Sequence, residues 1–376
     1  MIRLLLILPV SLFSLVSMAQ HTLSLSIRSL PEYHPAGSDI YIAGSFNGWN
    51  PQDGKYKFIH DGNGQYSAAL QLPEGSYEYK LTRGGWDKAE CKKDGSTLPN
   101  RVLNVSASAE ISLTVEEWAD RFPAAPRRST ASSHVAVLDT AFLIPQLKRT
   151  RRVWIYLPAS YSSGIDRYPV LYLHDGQNMF DDATSFSGEW GLDEFLDSTS
   201  LRKCIVVAID HGGNKRLNEY NPYDNDRFGK GEGGEYAGFL ARTLKPFIDT
   251  RYRTLAAKEH TFIAGSSMGG LISLYAVLQY PDTFGGAGVF SPAFWITGGK
   301  MVEEVRNKGK NLKARIYFYA GKLEGETMVP DMLQVSDVLT ALTSSELVTV
   351  IRDEGKHNEA AWRKEFPLFY EWLLKR

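Results

Sequence analysis

The chain has 376 residues, 43% of them hydrophobic and 23% charged, enough for a buried core and for two domains rather than one. Lys and Arg number 42 against 43 Asp and Glu, so the basic surplus that nucleic-acid binding requires is missing. No nucleic-acid partner is expected.

Residues 1–19 read as a signal peptide: Arg3 gives a positive start, Leu4 to Val16 is almost wholly apolar, and Ser17 and Ala19 precede the expected cut. The segment is short for a membrane span, and no later run approaches the roughly 20 apolar residues a spanning helix needs. Export to a periplasm or the medium is the expectation, with no membrane partner. The only cysteines, Cys91 and Cys204, fall in different predicted domains, so no disulfide framework is expected. No Cys/His spacing suits zinc, and neither metal nor organic cofactor is expected.

Residues 21–116 carry short β-rich runs at Ile40–Ile42, Tyr66–Leu70, Tyr77–Leu81 and Ile111–Val115. Turn clusters such as Asp61-Gly62-Asn63-Gly64 and Pro73-Glu74-Gly75 separate them. This spacing predicts a small β-sandwich. Residues 117–134 read as a linker, since Phe122 to Thr130 is rich in Pro, Ala, Ser and charge without apolar periodicity.

From 135 to 376 the pattern changes to α/β. Apolar strands are predicted at Pro169–Leu173, Ile205–Ile209, Thr261–Ala264 and Ile316–Ala320. An amphipathic helix is predicted over about 235–249, with Tyr236, Phe239, Leu240, Leu244, Phe247 and Ile248 at helical spacing. Alternating helices and continuous apolar strands imply a mostly parallel sheet covered on both faces.

Within this region Gly265-Ser266-Ser267-Met268-Gly269 fits G-x-S-x-G, set between a strand and a helical run over 268–279. Such an elbow presents a serine hydroxyl as a nucleophile, and Ser267 is the candidate. A serine needs a base, and His357 is the only histidine after Ser267. The acid should follow the strand Ile316–Ala320; Glu324 is the first choice, with Glu326 and Asp331 behind it. Oxyanion donors are expected from the backbone N–H of Met268 and, after the strand ending at Leu173, of Gln177. Trp190, Tyr220, Tyr223 and Trp295 follow strands and are candidate pocket-lining aromatics. Gly229-Lys230-Gly231-Glu232-Gly233-Gly234 lacks the preceding strand and Lys-Ser/Thr ending of a phosphate loop and reads as a plain loop.

The segments His174-Asp175-Gly176-Gln177-Asn178-Met179-Phe180-Asp181, Gly265 to Gly270 and Ser291-Pro292-Ala293-Phe294-Trp295 resemble the esterase D-like branch of α/β hydrolases. That branch includes feruloyl, acetyl-xylan and siderophore esterases. Its acid lies in a Gly-x-x-Asp/Glu element, which matches Gly321 to Glu324. The first domain resembles early-set, immunoglobulin-like starch- and glycogen-binding modules through Ile42 to Trp49, Tyr79-Lys80-Leu81, Gly85-Trp86 and Asn100-Arg101. The resemblance implies sugar stacking on Trp49 and Trp86 and hydrogen bonds from Lys80 and Asn100; simple packing of the module is the other reading. Together these features imply an exported serine esterase removing acetyl or feruloyl groups from a polysaccharide or glycoside. A siderophore trilactone esterase and a glycan-binding protein with an inactive hydrolase domain are the alternatives.

Overall fold

The computed structural model describes residues 20–62, 64–122 and 127–375, divided into two compact units, 1–124 and 125–376. The expected signal segment 1–19 lies outside the described residues, as do positions 123–126 of the expected linker.

The first unit contains β1 (Gln20–Ser29), β2 (Tyr41–Gly44), β3 (Ile59–His60), β4 (Tyr66–Pro73), β5 (Gly75–Thr82), β6 (Glu90–Cys91), β7 (Arg101–Val105), β8 (Ala109–Thr114) and β9 (Glu117–Trp118). These form sheets ordered β3-β4-β1-β8 and β2-β5-β7 and a ribbon β6-β9, with β1 antiparallel to β4 and parallel to β8. Alternate residues share one core: Leu23, Leu25 and Ile27 of β1 meet Leu70, Leu72, Ile42, Tyr79, Leu81 and Leu103. Burying Glu90 there is tolerated because Arg101 grips both carboxylate oxygens and the Leu81 amide donates a further bond.

The second unit has β10 (Val135–Ile144), β11 (Arg149–Tyr156), β12 (Val170–His174), β13 (Ile205–Ile209), β14 (Thr261–Ser266), β15 (Gly286–Phe290), β16 (Arg315–Gly321) and β17 (Glu346–Arg352). Its helices are α1 (Ser160–Ser163), α2 (Leu192–Ser198), α3 (Arg216–Tyr220), α4 (Gly233–Phe239), α5 (Lys245–Arg251), α6 (Met268–Gln279), α7 (Lys300–Lys308), α8 (Met328–Leu342) and α9 (Glu359–Leu374). The eight strands run β10-β11-β13-β12-β14-β15-β16-β17, parallel from β13 onward, with β10 and β11 antiparallel at one edge. Strict alternation splits the strands between two cores. Val170 and Tyr172, Ile205 and Val207, and Ile316 and Phe318 face α4 to α8. Leu171 and Leu173, Val206 and Ala208, and Tyr317 and Tyr319 face α2 and α9.

Two elements differ from the sequence reading in an instructive way. The helix predicted over 235–249 is α4 and α5 joined by a π-turn at Leu240–Leu244. Pro246, with no N–H and a ring that crowds the carbonyl four residues back, sits at the start of α5, and the wider turn relieves that crowding. The central strand β15, Gly-Ala-Gly-Val-Phe, was not predicted. Its Gly288 clears space for helix α9, since a β-carbon there would lie 2.7 Å from the Phe369 ring.

Phe369 has no solvent exposure and meets Phe290 edge to face at 5.3 Å. F369A should therefore destabilise the second unit by about 3–5 kcal/mol, read as a lower midpoint in denaturant melts followed by tryptophan fluorescence.

Candidate active site

The second sheet changes winding direction at β12, which has β13 on one side and β14 on the other. Ligands of open α/β sheets bind at the strands' carboxyl ends beside such a switch. β12 delivers His174-Asp175-Gly176-Gln177 to that edge and β14 delivers Ser266-Ser267. β15 adds Ser291, β16 leads to Glu324, and His357 lies between β17 and α9.

Ser267 occupies a strained backbone position, φ 59° and ψ −119°, between β14 and α6. Three bonds pin it there: its N–H donates to the Phe290 carbonyl at 2.9 Å, and its carbonyl accepts from Leu271 and Ala293, each at 3.1 Å. The flanking glycines are required by close approach. A β-carbon on Gly265 would meet the Gly269 carbonyl carbon and the His174 ring at 3.0 Å, and one on Gly269 would meet His174 Cβ at 3.1 Å. The Ser267 hydroxyl has no hydrogen-bond partner among the described residues.

The Glu324 side chain is wholly buried and its carboxylate accepts three bonds. Oε1 takes the Ser291 hydroxyl at 2.8 Å and the Gly321 amide at 2.6 Å; Oε2 takes His357 Nδ1 at 2.8 Å. With its Nδ1 proton committed to a carboxylate, His357 keeps a lone pair on Nε2, the arrangement a general base needs. Nε2 has no partner among the described residues. Neither Glu326, which is exposed, nor Asp331, which sits on α8, bonds His357.

Ser291 was visible in the sequence only as part of a resembling segment, and its role was missed. It is fully buried at φ 44°, its N–H donates to the Tyr319 carbonyl at 2.6 Å, and its hydroxyl accepts from Trp362 Nε1 at 2.9 Å while donating to Glu324. Trp362 also meets the His357 ring edge to face at 5.0 Å. The place of Ser291 in the Ser291 to Trp295 segment was the one available signal, since β15 itself was not predicted.

A second missed pair braces the other side. Asp175, at φ 57°, accepts two bonds from Arg216, at 2.7 and 2.8 Å, and Arg216 also reaches the Ser266 carbonyl at 3.5 Å. Burial pushes the Asp175 carboxyl up, but the Arg216 guanidinium outweighs it and holds the pKa below its ordinary value. The amides of Met268 and Gln177, expected as oxyanion donors, have no partner among the described residues. The Gln177 side chain is buried, with Oε1 accepting the His211 amide at 3.3 Å, and its carbonyl takes the Thr184 hydroxyl at 2.8 Å. These bonds hold the turn in place.

Two expected pocket-lining aromatics belong to the core instead. Trp190 is 1% exposed, packed on Phe290, Trp362 and Phe366; Tyr220 is fully buried against His174 and Tyr236. Each supports a site residue from beneath rather than facing solvent. Tyr223 is partly buried against Tyr275. Trp295 is 47% exposed and lines a cleft of about 360 Å³ with Phe294, Val302, Val335, Thr327 and Asp331. The lining of that cleft is linked to the site along the chain: Phe294 and Trp295 follow Ala293, whose amide bonds Ser267, and Thr327 lies three residues after Glu324.

In the first unit, Trp49 and Trp86 are brought together, partly exposed, with ring centroids 6.2 Å apart. Lys80 donates to the Leu98 carbonyl, and burial pulls its pKa below the ordinary lysine value. Asn100 is exposed and donates to Glu78 at 2.9 Å.

A family model described as putative esterase matches residues 144–370, and one described as the pullulanase X25 domain matches residues 36–122. The chain is 27% identical to the uncharacterized protein YbbA of Bacillus subtilis over 238 residues, 59% of this chain and 92% of that protein. It is 27% identical to the endo-1,4-beta-xylanase/feruloyl esterase of Xylanibacter ruminicola over 249 residues, 65% of this chain and 32% of that protein. Over 95 residues, a quarter of this chain and 7% of the relative, it is 41% identical to an alpha-amylase of Niallia circulans. Among solved structures, the enterobactin esterase FES from Shigella flexneri superposes with a TM-score of 0.52 at 18% identity, covering 89% of this chain and 87% of that one. The second unit accordingly has the α/β-hydrolase type of fold, preceded by a β domain.

Burial, only partly offset by the Asp175 carboxylate, pushes His174 down to about 3. Its folded pKa lies below the unfolded value, so the unfolded chain binds the extra proton. The stability involved is fully present above pH 6.5 and is lost as pH falls toward 3. H174Q should flatten the pH dependence of urea-measured stability in that window, by up to about 1.4 kcal/mol per pH unit.

Proposed function

Because the chain belongs to the putative esterase family and is an esterase, we propose that it works as a serine hydrolase through an acyl-enzyme, with Ser267 as nucleophile. The observation that carries this reading is the Ser291–Glu324–His357 bond series, which leaves Nε2 free on the sheet edge where Ser267 is held in its strained turn.

In this mechanism Nε2 of His357 takes the Ser267 proton as the hydroxyl oxygen attacks the ester carbonyl. The imidazolium is stabilised by Glu324, whose second oxygen stays anchored by Ser291 and Gly321. Negative charge on the carbonyl oxygen is met by the free amides of Met268 and Gln177. Collapse expels the alcohol, protonated by His357, and leaves an acyl group on Ser267. Water, deprotonated by the same imidazole, then releases the acid.

For the substrate we infer an acyl group on a polysaccharide or glycoside. The aromatic cleft bearing Phe294 and Trp295 suits a flat feruloyl-type group better than acetyl. Residues 21–116 are read as an immunoglobulin-like glycan-binding sandwich using Trp49, Trp86, Lys80 and Asn100. Residues 117–134 are read as a linker and 135–376 as the hydrolase domain, behind a signal peptide at 1–19 and exported.

A fluorophosphonate probe should label the wild type and not S267A. S267A and H357A should lower turnover on methyl ferulate by about 10⁴ or more, and E324Q by about 10²–10⁴. Labelling that persists in S267A rejects the mechanism, and an unlabelled wild type supports an inactive hydrolase domain. Faster turnover of acetylated xylan or of a catecholate trilactone than of methyl ferulate would move the substrate to those classes. Independently, W86A should lose retention on an immobilised α-glucan while keeping its turnover of soluble ester; unchanged retention assigns the module to packing.

A further inference from the structure

A second cluster of titratable side chains lies outside the residues used above. Glu189, Asp193 and Glu194 each place a carboxylate oxygen within 4.8 Å of the other two. Glu189 and Asp193 are buried, Asp193 with no exposure at all, while Glu194 reaches solvent. Nearby Asp181 shows how a buried carboxylate is normally satisfied here, by the Ser129 hydroxyl and the Thr130 and Ala183 amides. Asp193 is not satisfied. Its Oδ2 accepts the Ser132 amide at 2.6 Å, but Oδ1 is shielded from solvent with no donor among the described residues.

Among the described residues Glu189 accepts one hydrogen bond, from the Thr130 hydroxyl at 3.1 Å. Arg363 is half exposed and stands 3.9 Å from both Glu189 and Glu194, beyond hydrogen-bonding reach. Three carboxylates therefore share one distant positive charge. Three clustered carboxylates, one of them with a buried oxygen lacking a donor among the described residues, are thus left without a close cation.

We propose that Glu189, Asp193 and Glu194 form a divalent-cation site of the calcium class, with Oδ1 of Asp193 among its ligands. The donor set is all hard oxygen, which suits calcium, and it lacks the Cys and His ligands of structural zinc. Waters on the side of exposed Glu194 would complete the six to eight ligands calcium takes. Cys/His spacing could not have revealed such a site. The ion's role is structural. It ties the segment carrying Thr130 and Ser132 to the first turn of α2, beside Trp190, which packs on Trp362. The proposal is independent of the serine mechanism.

The test uses the full chain freed of metal with a chelator. Terbium luminescence sensitised through Trp190, and calorimetric titration with calcium chloride, should give saturable one-to-one binding, with Tm rising as calcium increases. E194Q, altered at an exposed position and so tolerated by the fold, should weaken binding by about tenfold or more, with D193N weakening it further. R363Q should bind more tightly, because a fixed positive charge is removed. No saturable binding up to roughly 10 mM calcium, above the weakest extracellular class, overturns the proposal, as does unchanged affinity in E194Q.

Discussion

The constraint on which the second unit depends is the left-handed backbone of Ser267. A non-glycine residue held at positive φ costs about 1–3 kcal/mol and persists only where its surroundings over-determine it. Here they do so through the neighbouring strand: Phe290 and Ala293 bond the Ser267 backbone, and Leu271 closes the first turn of α6. The same device continues across the edge. Ser291 bonds Tyr319, Lys322 bonds Arg352, and Leu323 bonds Gly355, two residues before His357. Each strand end is fixed by the next, so the elbow, the acid and the histidine share one hydrogen-bonded frame.

Much of this was legible because the relevant chemistry is local or ordered along the chain. Continuous apolar strands such as Ile205–Ile209 stand out by composition, and the helix 268–279 follows directly from the elbow. Chain order alone left His357 as the candidate base, and the bond to Glu324 now distinguishes that residue from Glu326 and Asp331. What escaped the sequence depends on partners distant in the chain. β15 was not predicted, and the reason for its Gly288, the Phe369 ring, lies 81 positions on. Arg216 and Asp175, 41 residues apart, carry no mutual signal before folding.

The misplaced aromatics have the same origin. A tryptophan following a strand looks alike in sequence whether it lines a cleft or fills the layer beneath one. Trp190 and Trp295 both follow strands, yet one has 1% exposure and the other 47%. The difference lies in what sits above them: Trp190 is capped by Trp362 of α9, while Trp295 meets Phe228 edge-on and opens onto a cleft.

That capping joins packing to the site. Trp362 belongs to the helix that buries Phe366, Phe369 and Tyr370 against the sheet, yet its indole N–H also holds the Ser291 hydroxyl. A hydroxyl that accepts from an indole is oriented to donate, and the carboxylate oxygen of Glu324 is where it donates. The position of the acid is thus set partly by how well a helix packs on the far side of the tryptophan. Loosening that core would reach the imidazole by two routes, through the bonds that link Trp362, Ser291, Glu324 and His357 and through the edge-to-face contact of Trp362 with the ring itself.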